Sequence, residues 1–517
     1  MKRKLIQFGI TTSFLAFLLY WIKETSWFTD YIPTDSLPSF WATFGILYGT
    51  VILGVIGLLL LEHNRPTKTL AWLLVILFIP VLGLILYLFF GFNYRKEKLF
   101  GDKKISKDLR IDAVREEQLK DFNDEAQDIV PETEDMAFIQ NNIKLLLSNS
   151  RTVYSRHNKL EILPGGDAKL SSLLEDLDGA RKFIHLEYYI IKNGRFSEAI
   201  QKKLVQQAQK GIEVRVLYDD VGSWNLSRDF CRSIQAAGGE VVAFMPVRFP
   251  LFTSRFNYRN HRKIAIIDGK IGYTGGINVN DKYLAGEKRA WRDTHLRLEG
   301  EVVKSLETIF MLDWHFMTGK LLDQAIYFPK VDLKADRLLQ VVASGPDTPY
   351  PGIMHAYFNA ISTAKSFVYI ATPYFVPNQS ILTAMKTTAL SGVDIRILIP
   401  AKGDSRTVTL TAQSYFEELM EAGVRIYLYL PSFIHCKVMV ADDTFGSVGT
   451  ANMDIRSFET NFEVNTVIYD KEINVKLKNQ FLADLEESEE VELAHFKERA
   501  VNIKLAEGIA RLLSPLL

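Results

Sequence analysis

An eight-residue pattern that occurs twice constrains the fold of this chain more than any other feature. Both copies read His-x-Lys-x-x-x-x-Asp, and their residues are His261, Lys263, Asp268, His435, Lys437 and Asp442. Each copy lies in a run rich in Val, Ile and Ala that is bounded by polar or turn residues, and such a run predicts a buried β-strand. Because side chains alternate across a strand, the His and the Lys of each copy share one face. One copy would be a weak signal, whereas two copies indicate a duplicated unit.

An asparagine and a carboxylate follow each copy of the pattern. Asn278 and Asn452 each lie 17 residues past the histidine of their copy. The carboxylates are Asp293, 32 residues past the first histidine, and Glu463, 28 residues past the second. The unequal second spacing indicates a small insertion in the first half.

Strand-like and helix-like segments alternate from about residue 152 onward. Segments 183–191 and 211–219 in the first half correspond to segments 367–375 and 392–400 in the second half, with a helical pattern between the two members of each pair. This alternation predicts an α/β fold with helices on the faces of a mixed sheet. The duplication predicts packing about a pseudo-twofold axis, which would bring the two motif strands to one site.

The residues of the two motifs suit the transfer of a phosphoryl group of a phosphodiester. The predicted donors to its non-bridging oxygens and to the extra charge of the transition state are Lys263, Lys437, Asn278 and Asn452. One neutral histidine would attack phosphorus and form a phosphohistidine, and the other, protonated, would give its proton to the departing alkoxide. Asp293 and Glu463 would orient the imidazoles. Asp268 and Asp442 end their strands at turns, which leaves both loop shaping and direct chemistry open.

Composition narrows the class of protein. Lys plus Arg and Asp plus Glu both total 61, so the formal charge is zero, which counts against a nucleic-acid binder. The two cysteines, Cys231 and Cys436, lack metal-ligand spacing and exclude a disulfide framework. Neither a metal-ligand set nor a nucleotide-binding glycine loop stands out, so we expect no metal and no cofactor.

Long apolar runs near the amino terminus indicate a membrane anchor. Residues 39–61 and 70–92 are long enough to cross a bilayer of ~30 Å hydrocarbon thickness and predict transmembrane helices. Residues 5–22 form a third apolar run, either a further span or a signal peptide, and the lack of a small-x-small cleavage site favours a retained anchor. The basic cluster at residues 95–104 predicts that the remainder of the chain lies in the cytoplasm. The basic residues 2–4 favour a cytoplasmic position for the amino terminus too.

The doubled motif, with an Asn and an acidic residue after each copy, resembles the phospholipase D superfamily over roughly residues 152–517. Within that superfamily the chain is similar to the bacterial cardiolipin synthases. The segments that carry this similarity are Arg65-Pro66-Thr67-Lys68-Thr69-Leu70-Ala71-Trp72, Asn260-His261-Arg262-Lys263, Thr372-Pro373-Tyr374-Phe375, Asn452-Met453-Asp454-Ile455-Arg456-Ser457-Phe458 and Asn461-Phe462-Glu463. The resemblance implies two tandem α/β/α sandwich domains with mixed sheets, at 152–335 and 336–517. They would follow a membrane anchor at 1–94 and a charged linker at 95–151.

The resemblance also implies an activity and its residues. The family joins two phosphatidylglycerols to give cardiolipin and glycerol at the bacterial cell membrane, so phosphatidylglycerol, cardiolipin and membrane lipids are the expected partners. The catalytic roles carried over fall on His261, Lys263, Asp268, His435, Lys437 and Asp442. Four alternatives stay open: a membrane-bound phospholipase D that uses water, a phosphatidyltransferase with another alcohol acceptor, a nuclease, and a non-catalytic scaffold. The neutral charge disfavours a nuclease, and the two intact motifs disfavour a scaffold.

Overall fold

The computed structural model divides into two compact units, Met1–Leu99 and Phe100–Leu517. The residues that it describes are 49–50, 52–57, 66–79, 83, 87, 114, 116–120, 122, 136–150, 152–247, 257–287, 289–322, 325–512 and 514.

The first unit is described around one helix, α1 (Pro66–Phe78). The helix begins at a proline, whose fixed φ suits the first helical position. Val55, Ile76 and Tyr87 form a small buried cluster, and Trp72 meets the Tyr87 ring edge-on at 5.5 Å between centroids. Within the described stretches, the structure shows no helix of the length and apolar character needed to cross a membrane. The span predicted at residues 5–22 lies outside the described residues, as do large parts of those predicted at 39–61 and 70–92.

The second unit contains two α/β domains. The first domain consists of β2 (Asn158–Pro164), α3 (Gly166–Gly179), β3 (Phe183–Tyr188), α4 (Arg195–Gln209), β4 (Glu213–Asp219), α5 (Arg228–Ala236), β5 (Glu240–Phe244), β6 (Lys263–Ile267), β7 (Ile271–Gly275), β8 (Thr294–Gly300) and α6 (Val302–Thr318). Its seven strands follow the order β2-β8-β7-β6-β3-β4-β5. β3, β4 and β5 run parallel, and the other neighbours are antiparallel.

The second domain repeats this topology. It consists of β9 (Leu339–Ser344), α7 (Gly352–Thr363), β10 (Phe367–Ala371), β11 (Phe375–Val376), α8 (Gln379–Leu390), β12 (Asp394–Pro400), α9 (Arg406–Gln413), α10 (Phe416–Glu421), β13 (Arg425–Tyr429), β14 (Val438–Ala441), β15 (Phe445–Gly449), β16 (Met453–Asp454), α11 (Ile455–Glu459), β17 (Glu463–Ile468), α12 (Lys471–Glu486), β18 (Ser488–Glu490), α13 (Leu493–Lys497) and α14 (Val501–Leu512). Strands β9-β17-β15-β14-β10-β12-β13 occupy the same sheet positions as the seven strands of the first domain. The predicted mixed sheets and their duplication are therefore confirmed.

The second domain also includes residues that precede the first domain in sequence. β1 (Tyr154–Ser155) pairs with β9 at the edge of the second sheet. α2 (Met136–Asn149), which lies within the predicted linker, buries Ile143, Leu146 and Leu147 in the core of the second domain. Apolar residues spaced three or four apart give α2 one continuous apolar face. The last part of the predicted charged linker thus forms a helix that packs in the core of the second domain.

Candidate active site

The two halves join through the segments that precede the motif strands. His261 donates its backbone N–H to the Phe462 carbonyl at 2.9 Å, and His435 donates to the Arg292 carbonyl at 2.7 Å. The same segments form parallel bridges, Asn260 with Phe462 and Arg292 with Ile434. Each motif histidine is therefore fixed to the residue just before the carboxylate of the opposite half. β6 begins only at Lys263 and β14 only at Val438, so both histidines precede the strands themselves.

The carboxylates and histidines pair crosswise between the halves. His261 Nδ1 lies 2.9 Å from a Glu463 oxygen, and His435 Nδ1 lies 2.7 Å from Asp293 Oδ2. Both carboxylates are fully buried, and the histidines are nearly so. Because Nδ1 of each ring faces a carboxylate, Nε2 is the nitrogen left for chemistry, and Nε2 of His435 lies 3.0 Å from Lys437 Nζ. The prediction that the two motifs meet at one site agrees with this geometry.

Glycines that precede the predicted asparagine in each half leave room for neighbouring groups of the same domain. A Cβ at Gly276 would lie 2.1 Å from Asp293 Oδ1, and a Cβ at Gly275, where φ is 146°, would lie 2.6 Å from the Cα of His295. In the second half, a Cβ at Gly449 would lie 2.2 Å from Asn465 Oδ1. A side chain at these positions would displace the carboxylate or the strand that carries it. The glycines between each motif and its asparagine are therefore part of the site.

The two motif lysines are buried beside the histidines. Lys263 Nζ donates to the His261 carbonyl at 2.7 Å, and Lys437 Nζ donates to the His435 carbonyl at 2.6 Å. Burial lowers the pKa of Lys263 to about 7 and that of Lys437 to about 8. The two ammonium groups also oppose each other's charge. A bound phosphate would relieve this opposition and favour the charged form of both.

Burial makes both imidazoles poor proton acceptors. The pKa of His261 falls to about 4 because burial and Lys263 outweigh the attraction of Glu463. The pKa of His435 is lowered well below its ordinary value by burial and by Lys437 and Lys263. Both rings are therefore neutral at pH 7, which is the state that a nucleophile requires.

The two carboxylates differ in charge preference. Burial raises the pKa of Asp293 to about 7, and Lys437 only partly opposes it. Burial also raises the pKa of Glu463, but His261 and Lys263 outweigh it and bring the net pKa below the ordinary value. Glu463 also accepts from Thr450 Oγ1 at 2.5 Å. The His261 side thus holds a full negative charge more readily than the His435 side.

Both predicted asparagines, Asn278 and Asn452, are buried. Asn278 Nδ2 donates to the Tyr283 hydroxyl at 3.1 Å, and Asn278 Oδ1 accepts from the Ile190 N–H at 3.3 Å. Asn452 is also buried, with its N–H bonded to Ser457 Oγ at 3.1 Å. Its Oδ1 is buried and has no hydrogen-bond partner among the described residues. Asn278 is thus linked to His435 through Tyr283.

Several side chains of the site were not predicted. The Tyr283 hydroxyl lies 3.2 Å from His435 Nδ1, and Trp291 packs on the same imidazole at 5.3 Å between ring centroids. Both residues lie in the segment between Asn278 and Asp293, which is longer than its counterpart between Asn452 and Glu463, and this unequal spacing was the available signal. On the other side, Tyr189 meets His261 edge-on at 4.7 Å.

Asp268 and Asp442 lie at the far ends of their strands. Asp268 accepts from three backbone N–H groups, those of Arg181, Lys182 and Phe183, at 2.7–3.0 Å. Asp442 does the same for residues 365–367 at 2.6–2.9 Å. Five residues of strand place Asp268 on the order of 16 Å along the chain from Lys263. The structure therefore joins seven of the ten predicted site residues through contacts around the paired histidines, buries Asn452, and places Asp268 and Asp442 at remote turns.

Among the described residues, no group of three His, Cys, Asp or Glu side chains is arranged to hold a metal ion. Cys436, which lies between His435 and Lys437, is buried with its sulfur 3.6 Å from Thr294 Oγ1. Burial raises the pKa of this thiol to about 12. Cys436 is thus a packed, protonated thiol.

Comparison with known proteins agrees with this geometry. The chain matches the family described as "Cardiolipin synthase, PLD-like domain" over residues 173–314 and 357–485, and the family described as "Phospholipase_D-nuclease N-terminal" over residues 46–91. A cardiolipin synthase of Geobacillus sp. (strain WCH70) is 40% identical over 476 residues, which cover 91% of this chain and 93% of the relative. Cardiolipin synthase 2 of Bacillus cereus is 41% identical over 473 residues, 90% of each chain.

A solved structure supports the fold. The phosphatidylserine synthase of Haemophilus influenzae superposes with a TM-score of 0.55 at 13% identity, and the match covers 74% of this chain and all of that one. The full-length similarity to the curated relatives, together with the doubled motif, decides the family. This chain belongs to the cardiolipin synthase family of the phospholipase D superfamily.

Proposed function

We propose that this protein is a phosphatidyltransferase that joins two phosphatidylglycerol molecules to give cardiolipin and glycerol. The observation that carries the proposal is the pair of crossed His–carboxylate contacts, which bring two imidazoles and two lysines from distant motifs to one buried site. The names of the relatives support the same reaction.

In the first half-reaction, one neutral imidazole attacks phosphorus through Nε2. The new P–N bond forms as the bond from phosphorus to the glycerol oxygen breaks, and the other imidazole, which gains a proton once the anionic phosphodiester is bound, gives that proton to the departing oxygen. Lys263 and Lys437 hold the non-bridging oxygens, and Asn278 and Asn452 complete the donor set. Glycerol leaves, and the phosphatidyl group stays on the histidine.

In the second half-reaction, the roles reverse. The imidazole that has lost its proton removes one from the terminal hydroxyl of a second phosphatidylglycerol. That oxygen attacks phosphorus, the P–N bond breaks, and cardiolipin forms. Asp293 and Glu463 hold Nδ1 of His435 and His261 throughout, which keeps Nε2 aimed at phosphorus.

The same proposal places the enzyme at the bacterial cell membrane as a multi-pass protein. The apolar runs at 39–61 and 70–92 and the amino-terminal family match at 46–91 support an anchor there. The basic cluster at residues 95–104 supports catalytic domains on the cytoplasmic side.

The test is a product analysis with purified full-length protein and phosphatidylglycerol labelled in its acyl chains, in mixed micelles. Wild type is compared with His261→Ala and His435→Ala, and His495→Ala serves as the matched control because that ring is exposed and distant in sequence. We expect cardiolipin and glycerol from wild type and from the control, and neither product from the two motif variants.

A second measurement tests the covalent intermediate. Labelled glycerol should exchange into unlabelled phosphatidylglycerol, because the phosphohistidine can be attacked by the alcohol that has just left. If one motif variant still exchanges glycerol but makes no cardiolipin, the histidine replaced in that variant is not the nucleophile. Phosphatidic acid as the main product would instead support the hydrolytic alternative, in which water replaces the lipid alcohol.

A further inference from the structure

The carboxyl-terminal helix α14 presents its apolar side to solvent. Val501, Leu505, Ile509 and Leu512 recur at intervals of three or four residues, so they share one face. These four side chains are 82%, 64%, 56% and 79% exposed, respectively. A helix that packs on a domain ordinarily turns such a face inward. In α14 the arrangement is reversed.

The inner side of α14 is small or polar. Glu507 and Ala510 are its buried residues, and Glu507 pairs with Arg499 at 2.9 Å. The Ala510 carbonyl accepts from Thr411 Oγ1 of α9 at 3.1 Å. Arg511 donates to the Ser414 carbonyl at 3.1 Å. The helix is thus fixed to the second domain by polar contacts, and its apolar stripe, the four residues Val501, Leu505, Ile509 and Leu512, takes no part in holding it.

The charges of α14 are basic where they reach solvent. Lys504 is exposed, Arg511 is partly exposed and pairs with Glu418 at 2.6 Å, and Glu507, the single acid of this helix, is buried. An apolar stripe bordered by cations matches an anionic bilayer surface, where the stripe enters the acyl boundary and the cations reach the phosphates. Phosphatidylglycerol, the substrate under the proposed function, supplies such a surface.

The helix lies on the catalytic edge of the second sheet. β10 and β12 are parallel and β14 is antiparallel to β10, so His435, just before β14, lies at the carboxyl end of β12. α9 follows β12 at this edge and contains only eight residues, about 12 Å of helix. Because α14 contacts α9 at Thr411 and the chain just beyond it at Ser414, the stripe lies about one short helix away from the sheet edge at which His435 lies.

We propose that α14 lies in the interface of an anionic phospholipid bilayer and holds the catalytic edge of the second domain against that surface. This inference rests on the proposed function for the identity of the lipid, and it adds a second membrane contact far in sequence from the amino-terminal apolar runs. The stripe inserts between acyl chains, and Lys504 stays at the phosphate level.

The test uses the full-length protein reconstituted in vesicles that contain phosphatidylglycerol. Cys231 is replaced by serine, Cys436 stays because it is buried, and a fluorophore is attached to a cysteine placed at Leu505 or at Ile509. Leu390→Cys is the matched control, since Leu390 is 70% exposed at the end of α8, where the chain turns towards the opposite edge of the sheet. Quenching by aqueous iodide and by spin-labelled lipids is measured at each position.

We expect labels at 505 and 509 to be quenched by the lipids and protected several-fold from iodide, while the label at 390 shows the reverse. Replacing phosphatidylglycerol by phosphatidylcholine should weaken the lipid quenching. Full iodide access at 505 and 509 would overturn the proposal, and so would protection without lipid quenching, which would mean that a protein covers the stripe. The quenching measurement needs no turnover, and the proposed reaction is measured separately as cardiolipin formation in micelles. A failure of the membrane-contact proposal can therefore be distinguished from a failure of the proposed reaction.

Discussion

Replacing Asp268 by alanine should weaken the first domain and leave the reaction nearly unchanged. Its carboxylate accepts from the backbone N–H groups of Arg181, Lys182 and Phe183, which begin β3. A hydrogen bond to a charged group contributes about 1.5–3 kcal/mol net. Arg181 and Lys182 are exposed, so water can replace the carboxylate there, whereas the buried Phe183 loses its acceptor. We therefore expect a loss of about 2–4 kcal/mol in the free energy of unfolding, below the sum of three such bonds.

Asparagine at the same position separates the contribution of the accepted hydrogen bonds from that of the left-handed backbone conformation. Asp268 has a φ of 55°, a left-handed conformation that asparagine adopts more readily than alanine. Asparagine also keeps one acceptor oxygen, so Asp268→Asn should lose roughly half of what alanine loses. Asp442, which has a φ of 49° and binds three N–H groups in the same way, should give the parallel series in the second domain.

The assay combines thermal unfolding of the purified protein in micelles with the initial rate of cardiolipin formation well below the unfolding temperature. Asp332→Ala, in an exposed loop, controls for the loss of a carboxylate. The reasoning would be refuted by an Asp268→Ala protein that unfolds at the wild-type temperature and yet loses on the order of 10³ in rate, a loss typical of a group that transfers a proton.

Three further predictions follow from the buried groups. As pH rises past about 7, Lys263 loses its proton and kcat/KM should fall, and Lys263→Arg should move this limb to higher pH in a pH–rate profile. Burial and Asp313 raise the pKa of Glu187, so its neutral form stabilises the fold at low pH and this contribution is lost as pH rises through the folded pKa. The stability of Glu187→Gln relative to wild type, measured by thermal unfolding, should therefore increase as pH rises. N-ethylmaleimide should modify Cys231, spare Cys436 and leave activity intact, as peptide mass spectrometry and rate measurements would show.

Local patterns predicted most of the two domains. The helical patterns expected between the paired strand segments are the helices Arg195–Gln209 and Gln379–Leu390. The segments expected as strands at 211–219 and 392–400 contain Glu213–Asp219 and Asp394–Pro400. These segments succeed because each has a clear period and turn residues at its ends. The duplication then predicted the repeated topology, since equal patterns at equal spacing fold alike.

Contacts between distant segments could not be read from these patterns. β1 at Tyr154–Ser155 joins the second sheet, although it precedes the first domain in sequence. The pairing of His261 with Glu463 joins residues 202 positions apart, and that of His435 with Asp293 joins residues 142 apart. Periodicity describes which face of an element is apolar, not which partner covers it. The crossed pairing therefore required the structure.

The crossed pairing explains why the motif has to be doubled for a site of this kind. Each half contributes one histidine and one carboxylate, but the carboxylate that orients a given histidine belongs to the other half. The backbone bonds that fix each histidine cross the same boundary. A half by itself would hold an imidazole without the carboxylate that orients it, and a carboxylate left with donors of its own half alone, such as Thr450 Oγ1 for Glu463 and the Thr294 N–H for Asp293. Packing of the halves satisfies both carboxylates and aims both rings in one step, so the assembly of the interface and of the catalytic site is a single event.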